Sequence, residues 1–118
     1  MSKPRLKMHL RILSDEQIAF GPGKAELLEA IQRTGSISQA AKSMNMSYRR
    51  AWQLVDTMNQ CFQSHLVETQ TGGTHGGGAI VTELGQVILK KFRGMEQQAI
   101  QTVATEFEDI TKYLKENK

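Results

Sequence analysis

Hydrophobic and polar positions change rhythm several times along the chain, and each change predicts an element. Leu6, Met8, Leu10 and Ile12 alternate with Arg5, Lys7, His9 and Arg11. Strict period-two alternation predicts a strand with one buried face. Ser14 to Glu16 reads as a turn, and Gln17 to Phe20 as a short return strand. Gly21, Pro22 and Gly23 then interrupt the chain, and Pro22 suits the first turn of a helix. Ala25, Leu27, Leu28 and Ile31 follow at helical spacing, and Gly35 closes that helix. Ser36 is a good N-cap for a short second helix carrying Ile37, Ala40, Ala41 and Met44. Asn45, one of the few non-glycine residues tolerant of a left-handed backbone, separates it from a third helix capped by Ser47. That helix turns Ala51, Leu54, Val55 and Met58 inward.

The rhythm then shortens again. "HLVETQ" and "AIVT" are rich in β-formers and flank "TGGTHGGGA", so a hairpin with a long glycine tip is expected. Thr82 caps a last helix running nearly to the C-terminus. Its stripe is Leu84, Ile88, Phe92, Met95, Ala99, Val103, Phe107, Ile110 and Leu114, in steps of three or four. One continuous helix of that span would be roughly 50 Å long, more than a small globule can cover. The stripe therefore divides: Leu84, Ile88 and Phe92 pack on the domain, and the residues from Met95 onward meet a second subunit. The alternative is a core stripe packed on its own domain throughout. Gly94 stands at the division, either as a bend or as a neutral position.

The second and third helices carry the function. Two helices joined by a tight turn need a small residue where they cross, here Ala41, and a residue accepting positive φ at the turn, here Asn45. Ala40, Met44, Met46, Ala51 and Leu54 fill the inner positions. This is a helix-turn-helix pattern, with Ser47, Tyr48, Arg49, Arg50 and Gln53 left near the exposed start of the third helix. Such a start enters the major groove of DNA. Arg can present two donors to guanine and Gln can pair with adenine, while Ser47, Tyr48 and the helix N-terminus can donate to phosphates. The competing reading is a helical hairpin in an all-α domain with a solvated Arg pair.

In that setting the glycine stretch reads as a wing. Without Cβ atoms, Gly72, Gly73, Gly76, Gly77 and Gly78 let peptide N–H groups approach phosphates, and Thr71, Thr74 and His75 add donors. A nucleotide-binding loop would need a Lys followed by Ser or Thr and then a helix; here Gly78 is followed by a strand. A mobile turn without a ligand is the third possibility. Trp52 reads as a packing residue, with base stacking as the lesser alternative. Cys61 and His65, four apart, can share a helix face but lack the third group and oxyanion site that catalysis requires. His9, His65 and His75 show no metal-ligand spacing. No enzyme is expected, and no cofactor or metal.

The chain has 118 residues, 39% of them hydrophobic and 23% charged, which bounds it to one soluble globular unit. Its net charge is +3. Residues 1–60 hold nine Lys/Arg against five Asp/Glu, and residues 95–118 three against five. A basic front with an acidic tail suits a polyanion on one side, or is ordinary surface charge. The single Cys61, the missing secretory segment and the absence of a membrane-length apolar run point to the cytoplasm.

"GSISQAAKSMNMSYRRAWQLVDTMNQ" and "LVETQTGGTHGGGAIVTELGQ" together resemble the N-terminal domain of ModE-type molybdate-responsive transcriptional regulators. The resemblance runs from about Leu6 through the long helix. It implies a LysR-like winged helix-turn-helix, mainly α with a small β component, an N-terminal strand or hairpin, and dimerisation through the long C-terminal helix. The DNA-binding part is expected over 1–82 and the dimerisation helix over 83–118. DNA contacts carry over to Ser47, Tyr48, Arg49, Arg50, Gln53 and the wing at Gly72 to Gly78; Ser38 and Gln39 complete the expected surface. Dimerisation falls to Met95, Ala99, Val103, Phe107, Ile110 and Leu114. The family's C-terminal molybdate-binding region has no counterpart up to Lys118, so molybdate sensing is not inherited: a stand-alone form, another effector, or a separate sensor fits. The expected partners are double-stranded DNA and a second copy. A winged-helix protein-interaction module that does not bind DNA is the alternative.

Overall fold

A computed structural model describes residues 3–70 and 78–115. The order of elements is β1 (Ile12–Ser14), β2 (Gln17–Phe20), α1 (Pro22–Thr34), α2 (Ile37–Ser43), α3 (Tyr48–Cys61), β3 (Val67–Gln70), β4 (Gly78–Val81), α4 (Glu83–Thr102) and α5 (Ala104–Thr111). Helices dominate, and the two antiparallel hairpins, β1–β2 and β3–β4, form separate two-stranded sheets. This is the winged helix-turn-helix architecture that the periodicity predicts.

Local signals set most boundaries. Pro22 opens α1, and Gly35 closes it at φ 70° with its N–H bonded to the Ile31 carbonyl. The Ser36, Ser47 and Thr82 hydroxyls accept from the Gln39, Arg50 and Gly85 amides, so each caps its helix as expected. Asn45 sits at φ 54° between α2 and α3. The amide of Met46 reaches back to the Ala41 carbonyl at 3.0 Å, which tightens that turn.

The core lies between α1, α2, α3, both hairpins and the first half of α4. Leu27, Leu28 and Ile31 are fully buried, each contributing about 1.5–3 kcal/mol of apolar burial. Phe20 is the aromatic centre: Phe92 of α4 meets it edge-on at 5.1 Å, and Phe62 at 6.3 Å. Arg93 ties α4 to α1 by a two-pronged contact with Glu29, at 2.7 and 3.1 Å. At Gly85 a Cβ would stand 2.5 Å from the Leu66 carbonyl oxygen, so only glycine lets α4 start this close to the hairpin.

Three expectations are corrected. The first strand is not Leu6–Ile12: only Ile12–Ser14 pairs, because β2 is four residues long and ends where α1 begins. The alternation survives without a ladder, since Met8, Leu10 and Ile12 are half-buried and Lys7, His9 and Arg11 exposed. The last helix is not continuous. It breaks at Val103, within the β-branched run Thr102–Val103, where helix propensity is low and the Thr102 hydroxyl bonds back to the Gln98 carbonyl. Gly94 lies inside unbroken α4. Lastly, α3 ends at Cys61, so Cys61 and His65 share no helix face; the thiol donates to Gln17, and His65 faces Glu68.

Candidate nucleic-acid interface

The short crossing between α2 and α3 is built from Ala40, Ala41 and Ala51, all buried. Small side chains let α2 brace α3, which leaves the start of α3 uncovered. Ser47, Tyr48, Arg49, Arg50 and Gln53 are all exposed there. The Ser47 oxygen accepts the Arg50 amide at 3.0 Å, and among the described residues its own proton has no acceptor.

Helical geometry sorts these residues into three stripes. Tyr48 and Trp52 share one face, with rings edge-on at 6.3 Å. They line a cleft of about 330 Å³ with Ser38 of α2 and Thr69, Gln70 and Gly78 of the β3–β4 hairpin. Arg50 and Leu54 share the opposite flank and line a second cleft with Lys24 at the start of α1. Arg49 and Gln53 lie between the two, lining neither, and point outward from α3. The structure therefore gathers Ser38, Tyr48 and Gly78 in one cleft and separates Arg50 from them. Gln39 is exposed on α2 outside both clefts. Of the wing, Gly78 begins β4, and Thr71, Gly72, Gly73, Thr74, His75, Gly76 and Gly77 lie outside the described residues.

The hairpin is held beside α3 by contacts that no periodicity announces. Asn59 accepts the Leu66 and Val67 amides at 2.8 and 3.3 Å and donates to the Val67 carbonyl at 3.1 Å. On the other strand, the Ala79 amide bonds to the Gly35 carbonyl at 2.9 Å. The base of the hairpin is thus fastened at α3 and at the α1–α2 turn. Trp52, read from sequence as a packing residue, does pack on the core but also faces the cleft. Thr69 and Gln70 went unnoticed because a strand pattern does not say which element its outer face meets.

Electrostatics differ between the flanks. Burial and, after it, the neighbouring Arg50 charge lower the Lys24 pKa below its ordinary value of 10.5, with Cys61 acting in the opposite sense. Cations therefore crowd the Arg50 side, and aromatic and hydroxyl groups the hairpin side.

A helix-turn-helix with an uncovered third helix, flanked by an anchored hairpin, matches a known family over residues 23–86. The chain belongs to the lysR family of bacterial regulatory helix-turn-helix proteins. That lysR-type family is regulatory, not enzymatic. The molybdenum transport protein ModE of Azotobacter vinelandii is 34% identical over 114 residues, covering 94% of this chain and 42% of the relative. The transcriptional dual regulator ModE of Escherichia coli K12 is 39% identical over 87 residues, 74% of this chain and 31% of the relative. The molybdenum-pterin-binding protein MopA of Rhodobacter capsulatus is 45% identical over 76 residues, 64% and 29%. The chain spans less than half the length of these relatives. It carries a lysR-type helix-turn-helix DNA-binding domain related to the ModE regulators. Among the described residues no helix is long and apolar enough to cross a membrane.

Proposed function

We propose that the chain is a sequence-specific transcriptional regulator that binds a two-fold DNA site as a cytoplasmic homodimer. The observation that carries this reading is the free, cation-bearing start of α3 beside the anchored hairpin. Arg49 and Gln53, on the outward stripe, read base edges in the major groove. Tyr48, Ser38 and the wing at 71–78 follow the backbone on one flank, and Arg50 meets a phosphate on the other. Residues 1–82 form the DNA-binding unit and 83–118 the arm that joins two copies.

Support for the dimer comes from the arm. Met95, Val103, Ile110 and Leu114 are exposed by 37% or more, Ala99 and Phe107 are half-buried, and α5 contains no buried residue. A two-fold pair places two recognition helices about 34 Å apart, one helical turn of DNA.

The test is selection of bound fragments from genomic DNA, followed by affinity measurements on the selected site across a salt series. Arg49→Ala should lose about 1–3 kcal/mol and relax the preference at one base position. Arg50→Ala should weaken all duplexes alike and reduce the salt slope by about one. Salt-insensitive binding, or equal affinity of wild type and Arg49→Ala, would falsify the reading and favour a protein-binding module. Because molybdenum figures in the relatives' names, the selection is run with and without molybdate.

A further inference from the structure

The cleft on the Arg50 flank of α3 measures about 620 Å³ and opens between residues 7–11, the start of α1, α3 and α4. Lys7, Arg11, Lys24, Arg50 and Arg93 line it, against the carboxylates of Glu26 and Glu96. Two of these charges are already spent on each other: Arg93 binds Glu96 at 2.8 Å and also clasps Glu29. Lys24 differs. Its residue surface is only 8% exposed, yet among the described residues no carboxylate lies within ion-pair distance of its ammonium. No side-chain nitrogen among the described residues is sealed away without a hydrogen bond, so the ammonium opens onto the cleft. Its stem is covered while its charged end faces the cleft with no carboxylate beside it among the described residues, which makes that end an attractor for an anion.

The start of α1 adds a second, independent attraction for negative charge. This helix has 13 residues, its N-cap Gly21 offers no side-chain hydrogen bond, and its first turn has no acidic residue. Gly21, Pro22, Gly23 and Lys24 all line the cleft. The first intrahelical bond is donated by the Ala25 amide, at 2.9 Å to the Gly21 carbonyl, so the Gly23 and Lys24 amides precede it. A Cβ on Gly23 would meet nothing within 4 Å, so that approach is open. Helix N-termini of this kind favour anions.

We propose that this cleft holds one tetrahedral oxyanion of the phosphate class, bound by the Lys24 ammonium, the Gly23 and Lys24 amides and the Arg50 guanidinium. Arg11 and Lys7 stand at its margin. The oxyanion is either a free phosphate group or a phosphate of a bound duplex. The inference stands on the cleft itself and survives failure of the DNA reading if the free anion binds.

The experiment uses the full chain at low ionic strength in a zwitterionic buffer. Inorganic phosphate is titrated by calorimetry and by amide NMR, with chloride as control. Affinity for a mixed-sequence duplex is followed across salt in parallel. Wild type is compared with Lys24→Met and with Lys90→Met, an exposed position outside the cleft. Saturable phosphate binding that shifts the Gly23 and Lys24 amides, weakens at least tenfold in Lys24→Met and is kept in Lys90→Met assigns a free oxyanion. No phosphate binding, but a duplex salt slope lowered by about one in Lys24→Met alone, assigns a backbone phosphate. Wild-type behaviour of Lys24→Met in both arms overturns the proposal. Should Lys24→Met fail to fold, Lys24→Gln takes its place, and the wild-type amide shifts remain a direct readout.

Discussion

The two ends of the C-terminal arm share one apolar rhythm and have opposite environments. Up to Phe92, α4 lies on the globule: Gly85, Leu89 and Phe92 are buried, and Arg93 is locked to α1. From Met95 onward the same three- and four-residue steps lead into solvent, with Ile110 exposed by 61% and Leu114 by 53%. An amphipathic stripe therefore states that a face seeks cover and not what covers it. In the first half the cover is intramolecular. In the second half it is, by the reading proposed above, another copy of the chain.

Substitutions at the two ends can break that contrast. Phe92→Ala should cost about 3–5 kcal/mol in urea unfolding, since it removes a ring packed edge-on against Phe20. Leu114→Ala, measured at concentrations low enough to keep the chain monomeric, should cost less than about 0.5 kcal/mol. Comparable losses at both sites would mean that the arm folds back on its own domain.

Two glycines in one helix offer a finer comparison. Gly85→Ala pushes a methyl group into the Leu66 carbonyl and the Val81 side chain, at 2.5 and 2.7 Å, and should destabilise by about 1–3 kcal/mol. The dimer is probed next. Ile110→Asp combined with Leu114→Asp should raise the dimer dissociation constant more than tenfold in sedimentation, at least about 1.4 kcal/mol, and shift the concentration dependence of the melting temperature to at least tenfold higher concentration. A monomeric wild type would remove the premise. Gly94→Ala should act in the opposite direction. Nothing lies within 4 Å of a Cβ there, so the variant should gain up to about 1 kcal/mol from helix propensity. Weaker dimerisation in this variant would instead place the partner's surface against Gly94.

Much of the fold was legible because its boundaries are chemical. Ser36, Ser47 and Thr82 cap helices with their own hydroxyls, and Gly35 and Asn45 occupy left-handed positions their residue types permit. The candidate site was legible to the level of its element, namely the start of α3. It was not legible to the level of its faces. That Tyr48 looks toward the hairpin, Arg50 toward α1 and Arg49 outward depends on what packs on either side of α3. The break at Val103 escaped the periodic reading, because a stripe in steps of three and four persists through a single non-helical residue.

By itself, then, the sequence determined the helices, their caps and the tight α2–α3 turn, since each rests on contacts within a few residues, and it marked the hairpin by two runs of β-formers around a glycine stretch. Tertiary structure alone decided that the Ala79 amide fastens the hairpin to the Gly35 carbonyl, that Gly85 must lack a side chain, and that Lys24, largely covered, has no carboxylate within ion-pair distance among the described residues. Those depend on neighbours distant in the chain, and the field at a partly covered charge is set by whatever the fold brings near it.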